Sequence, residues 1–179
     1  QLARARAVVA WRLERSCWKS DAAQAREYAA LMDTPMEQPL REYVAFRMDQ
    51  QTLVAALRRK RDGLGLPEGA APWGVGPRVY HVQKHWDEAD FGLAILYPWL
   101  PQAREFLAAG DARSLERLLM NVAWCRLDHH AEQSMFGFEA VFSYFFKWDM
   151  LQAWLACDPD KAKTIFSDLI DKVTHVEPN

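Results

Sequence analysis

The chain has 179 residues, of which 50% are hydrophobic and 26% charged, and its 22 basic residues nearly balance its 24 acidic ones for a formal net charge of -2. That length accommodates one domain with a sizeable core, and the apolar content excludes an intrinsically disordered chain. The balanced charge excludes nucleic acid or an anionic membrane as a partner drawn in by bulk field.

Good helix formers fill the first stretch, predicting one helix from Gln1 to about Trp18 and a second from Asp21 to Met32. The chain opens on Gln1 rather than Met, so an N-terminal segment is expected to be missing. Thr34-Pro35-Met36-Glu37 has the form of a capping box with proline at the first helical position. The helix it predicts runs to about Arg61, with Phe46, Leu53 and Leu57 on one stripe and Tyr43 and Val54 beside it. Gly63 ends it, and residues 63–77 form a Gly/Pro-rich loop or linker. The stretch Arg78–Trp86 reads equally as a short strand or a helical turn.

Pro101 to Ala109 reads as a short helix closed by Gly110, and Asp111 caps a longer one to about His129. Phe138 to Ala156 is the most hydrophobic stretch and reads as a central core helix, because Glu139, Lys147 and Asp149 interrupt any membrane span. Asp158-Pro159 caps a last helix to about Val173. The expected fold is all-α: an irregular bundle or array of about seven or eight helices with little or no sheet, forming one domain over residues 1–179. Eight tryptophans point to a large contact surface.

Few constellations carry chemistry. His81 and His85 would share one helical face, half of a metal site, with Asp87, Glu88 and Asp90 as further ligands for a metal-dependent enzyme or sensor. The simpler account is a pair of surface or partly buried histidines beside Trp86. His129 and His130 sit where a helix end favours them. Cys17, Cys125 and Cys157 are far apart with no CxxC spacing, as free thiols of a reducing cytosol would be. No phosphate loop, GxSxG, HExxH or GxGxxG occurs, so neither catalysis nor a cofactor is expected. The run Arg58-Arg59-Lys60-Arg61 reads as a solvated helix terminus whose charges favour the dipole, or as a surface for an acidic protein; nucleic acid fits less well, because four consecutive residues spread around a helix and make no flat patch.

The stretch Met48–Gly63 resembles the repeated signature of the C/d-type accessory subunit of V/A-type ATPases. Asp49, Leu53, Leu57, Arg58, Lys60 and Gly63 fit its spacing, while Arg47 stands where that family has Glu and Thr52 where it has Asn. The whole chain is similar to a bacterial family encoded beside V-type ATP synthase genes, through Arg41–Asp49, His85-Trp86, Asp90-Phe91-Gly92, Pro98-Trp99-Leu100, Phe138–Val141 and Lys147-Trp148. The resemblance implies a non-catalytic coupling subunit between central stalk and membrane rotor, peripheral to the membrane on its cytoplasmic side. Arg58, Arg59 and Lys60 would meet acidic residues of the other ATPase subunits, and Asp49 would pair with a basic residue of its own domain. A stand-alone helical adaptor is the remaining expectation from the residues.

Overall fold

A computed structural model describes residues 1–11, 21–67, 73–132 and 137–156. Over these the chain is all-α: α1 (Leu2–Val9), α2 (Asp21–Met32), α3 (Gln38–Arg61), α4 (Val79–Lys84), α5 (Leu100–Ala108), α6 (Ala112–Glu132) and α7 (Phe138–Leu155), with no strand among the described residues. The helix expected from Asp158 to Val173, and the expectations for Cys17 and Cys157, lie outside the described residues.

The 24-residue α3, about 36 Å long at 1.5 Å per residue, is the spine. Its first half contributes Leu40, Tyr43, Val44 and Met48 to one core with Val8 and Val9 of α1, Leu127 of α6, and Phe142, Phe146 and Met150 of α7. The rings of Tyr43 and Phe146 sit 4.9 Å apart in a tilted pair. Its second half contributes Leu53, Val54 and Leu57 to another core with Val82 of α4, Phe91, Tyr97 and Trp99, and Leu100, Ala103 and Leu107 of α5. Contacts of His130 with Phe142 near one end and of Arg117 with Trp154 near the other show α6 and α7 running antiparallel. None of the described helices is long and apolar enough to cross a membrane.

Local chemistry sets several boundaries. Gly63, at φ 68°, closes α3 with two bonds: its own amide donates to the Lys60 carbonyl at 3.1 Å, and the Leu64 amide to the Arg59 carbonyl at 2.8 Å. Gly110 (φ 70°) closes α5 in the same way, and Asp111 then accepts from the Ser114 amide at 2.9 Å to start α6.

Three boundaries or placements depart from the sequence reading. The first helix ends at Val9 rather than near Trp18, because Ala10 turns extended (φ -47°, ψ 141°) and sends Trp11 inward. There the Trp11 indole donates to Glu116 at 2.8 Å and its backbone amide to Asp149 at 3.2 Å. The third helix starts at Gln38, not at Pro35, with Pro39 in its first turn. Thr34 caps nothing there. Its hydroxyl donates back to the Leu31 carbonyl at 2.7 Å, while Arg41 donates to the carbonyls of Met32 and Thr34 at 2.7 and 3.1 Å and so terminates α2. Finally, α7 is not central. Phe142, Phe146 and Met150 are buried, but Val141, Tyr144, Trp148, Leu151 and Leu155 are exposed.

Candidate partner-binding site

The basic run at the end of α3 does not present one charged face. Arg59 donates from Nε and Nη2 to the Gly65 carbonyl at 3.1 and 2.9 Å. Lys60 donates to the carbonyls of Trp86 and Glu88 at 2.8 and 2.6 Å, and its ammonium lies 5.1 Å from the centre of the Phe91 ring. Arg61 pairs with Asp62 at 2.7 Å. Arg58 is exposed and lines a cleft with Trp11, Arg47, Gln50 and Glu116. Of the three basic residues expected to meet a partner, Arg58 is therefore the one with its charge turned outward.

The signature positions Asp49, Leu53, Leu57 and Gly63 all act within the domain. Asp49 is 3% exposed and accepts from the Arg78 amide at 2.9 Å and the Tyr97 hydroxyl at 2.8 Å. Its hydrogen bonds come from a backbone N–H and a phenol, and the basic residue beside it is Arg78, whose charge also favours the ionised carboxylate. Burial raises the Asp49 carboxyl above its usual value, while the Tyr97 and Arg78 donors pull it back. The same burial and the neighbouring Asp49 push Tyr97 up to about 12. One turn on, Thr52 exchanges two bonds with Val75, at 2.7 and 2.8 Å. Residues 73–77, read from sequence as the end of a loop or linker, are therefore stitched to α3. Gly76 is essential to that approach: its φ is 123°, and an added Cβ would lie 2.7 Å from Asp49 Oδ1. Leu53 and Leu57 are buried in the second core.

His81 and His85 do fall on one short helix, α4, with their rings stacked at 4.3 Å. His81 Nε2 lies 3.0 Å from the Phe91 carbonyl, which can only accept, so this nitrogen donates. That bond holds Phe91, whose φ of 54° is unusual for a side-chain-bearing residue. His85 Nδ1 meets Glu88 at 2.7 Å. Among the described residues, no three His, Cys, Asp or Glu side chains converge where a metal ion could be held.

Two features escaped the sequence reading. The exposed apolar residues of α7 recur at 141, 144, 148, 151 and 155, the alternating three- and four-residue spacing of a helix-pairing seam. Only its mixture with an equally apolar inner face hid that seam. The other is Arg47, a guanidinium 5% exposed on the inner side of α3. Burial lowers its pKa from the ordinary arginine value. A wider groove, about 590 Å³, opens between α3, the 96–99 stretch and α6, with Arg78, Arg126 and His129 on its walls. Its buried carboxylate, Asp49, is already engaged by Tyr97 and Arg78.

The family model described as "Protein of unknown function (DUF2764)" matches residues 14–176. No curated protein and no solved structure matches the chain.

Proposed function

The chain belongs to the DUF2764 family, and we propose that it is a non-catalytic helical subunit that holds other proteins together, acting in a bacterial V-type ATPase between the central stalk and the membrane rotor. The observation that carries the reading is the seam on α7. Trp148 is 54% exposed and Leu155 74%, in line with Val141, Tyr144 and Leu151. A stripe of large apolar side chains at helix-pairing spacing is costly in water and is relieved by a partner helix laid along it. Stiff packed helices with contact surfaces on their outer faces suit a connector. Among protein partners, ATPase subunits are favoured by the likeness of Asp49, Leu53, Leu57, Arg58, Lys60 and Gly63 to the signature of the C/d-type accessory family. Such a subunit works on the cytoplasmic side, bound to the membrane complex without crossing the bilayer.

The test is purification of the tagged full chain from detergent-solubilised membranes of its native cells. Central-stalk and rotor subunits are expected to co-elute in a fixed ratio. Trp148→Ser should reduce that recovery at least about fivefold while changing stability by no more than about 0.5 kcal/mol, as for an exposed position. Co-elution of other proteins without any ATPase subunit would instead identify a stand-alone adaptor. A chain cut after Ala156 is the control. If it gains binding of a hydrophobic dye that the full chain and its Trp148→Ser variant lack, residues 157–179 are the cover of the seam and the argument fails.

A further inference from the structure

The exposed stripe of α7 keeps a heptad register along the helix. Val141, Trp148 and Leu155 recur at one core position of the heptad, and Tyr144 and Leu151 at the other. Phe142, Phe146 and Met150 of the same helix are already packed in the first core. The stripe is therefore a second apolar face, turned away from its own domain.

The positions flanking such a seam set which helix it accepts, chiefly by charge. Here they are Ala140, Lys147 and Trp154 on one side and Phe145 and Gln152 on the other. Lys147, the charged residue among them, is bonded to Asp128 of α6 within its own domain. Asp149, the acid of the same stretch, is held by Arg6 at 2.7 Å and the Trp11 amide at 3.2 Å. On α7 itself, a second copy laid along the stripe meets only uncharged or already paired neighbours, so no like charges are set against each other.

A twofold axis lays the stripe of one copy on the stripe of the other, with the same five residues on both sides of the contact. Those side chains offer on the order of 500 Å² per copy, about half of it from Tyr144 and Trp148. The total, about 1,000 Å², falls just under the roughly 1,200 Å² at which stable interfaces begin. That size suits a pair that forms at micromolar concentration and gives way to a better partner, not a permanent dimer.

We propose that the free chain pairs with a second copy of itself through this stripe, as a weak twofold dimer whose interface is the face a partner helix takes in the assembly. The proposal goes beyond the reading above by naming what covers the seam before assembly, and it rests on that reading only for the competing partner helix. One stripe holds one helix at a time. The dimer therefore hides the apolar face until assembly and comes apart as assembly proceeds.

Sedimentation equilibrium of the purified full chain, from about 1 to about 300 μM, tests it. A monomer–dimer equilibrium with a dissociation constant of about 10–100 μM is expected. Trp148→Ser should weaken the pair at least about thirtyfold, the size expected for a central aromatic anchor. Tyr80→Ser, which removes an exposed aromatic of α4 away from the stripe, should leave the constant unchanged. Should Trp148→Ser not fold, Leu155→Ser at the end of the stripe decides the matter, with a weakening of about fivefold expected. A full chain that stays monomeric at the highest concentration overturns the proposal. So does a dimer that the stripe variants leave intact or that Tyr80→Ser weakens equally, and so does growth past the dimer into larger species. A dimer without co-elution of ATPase subunits from native membranes faults the functional reading alone. Co-elution by a chain that is monomeric when free faults the dimer alone.

Discussion

The two cores flanking α3 handle buried ionisable groups in opposite ways. Around its second half these groups are matched. Asp49 has the Tyr97 hydroxyl and the Arg78 amide, and Lys60 has two carbonyls and the Phe91 ring. The unsatisfied polar atoms there, the indole nitrogens of Trp73 and Trp99, carry no charge. Around the first half, Arg47 Nε and both ring nitrogens of His130 are buried without partners. The difference teaches where the fold is sensitive to acid. Matched polar groups rigidify and fix register, whereas a buried imidazole without partners loses stability when it takes a proton.

The comparison can be broken from its matched side first. Asp49→Leu should destabilise the protein by about 2–5 kcal/mol, because it orphans two buried donors at once. Urea unfolding monitored through the tryptophans measures this. A loss below about 1 kcal/mol would mean that the polar stitching is incidental to the second core. Gly76→Ala tests the same stitch from the facing strand of backbone. Its φ of 123° and the 2.7 Å approach of the new Cβ to Asp49 predict a loss of about 1–3 kcal/mol. Combined with Asp49→Leu it should cost less than the sum, since both loosen one contact.

The smallest effect comes from the unmatched side and appears only in acid. Burial holds the His130 imidazole below its ordinary pKa. Arg126 and His129 on its own helix act in the same direction, against Glu42 on α3 and Glu139 on α7. The unfolded chain therefore takes up the proton first, near pH 6.5. The stability contributed by the neutral ring is complete above that pH and is lost as pH falls toward the lower folded value. Replacing this ring by an apolar side chain, His130→Leu, should flatten the decline, making the variant relatively more stable by at most about 2 kcal/mol at about pH 5. Thermal melts between about pH 5 and 8 read it directly. Parallel curves for the two proteins would show that His130 has a partner in solution.

Much of the fold was legible because its signals are local. Gly110-Asp111 marks the end of α5 and the start of α6 by backbone conformation and side-chain capping, which need no knowledge of distant residues. Gly63 and the bounds of α2 were legible for the same reason. The start of α3 was not. Pro35 and Pro39 both suit a first turn, and the choice was made by Arg41 reaching back to the carbonyls at the end of α2. The site was less legible still. Of Arg58, Arg59 and Lys60, adjacent and chemically alike in sequence, Arg59 turns to the Gly65 carbonyl just past the helix end and Lys60 to carbonyls of the distant 86–88 stretch.

By itself the sequence determined the helical class, most helix ends and the apolar stripes, because propensity, capping and periodicity act within a few residues. The tertiary structure alone decided which stripe of α7 faces solvent and which cation of α3 is buried. Burial depends on what other segments bring alongside, and Trp11, 36 positions before Arg47, covers that guanidinium only once α1 has docked on α3.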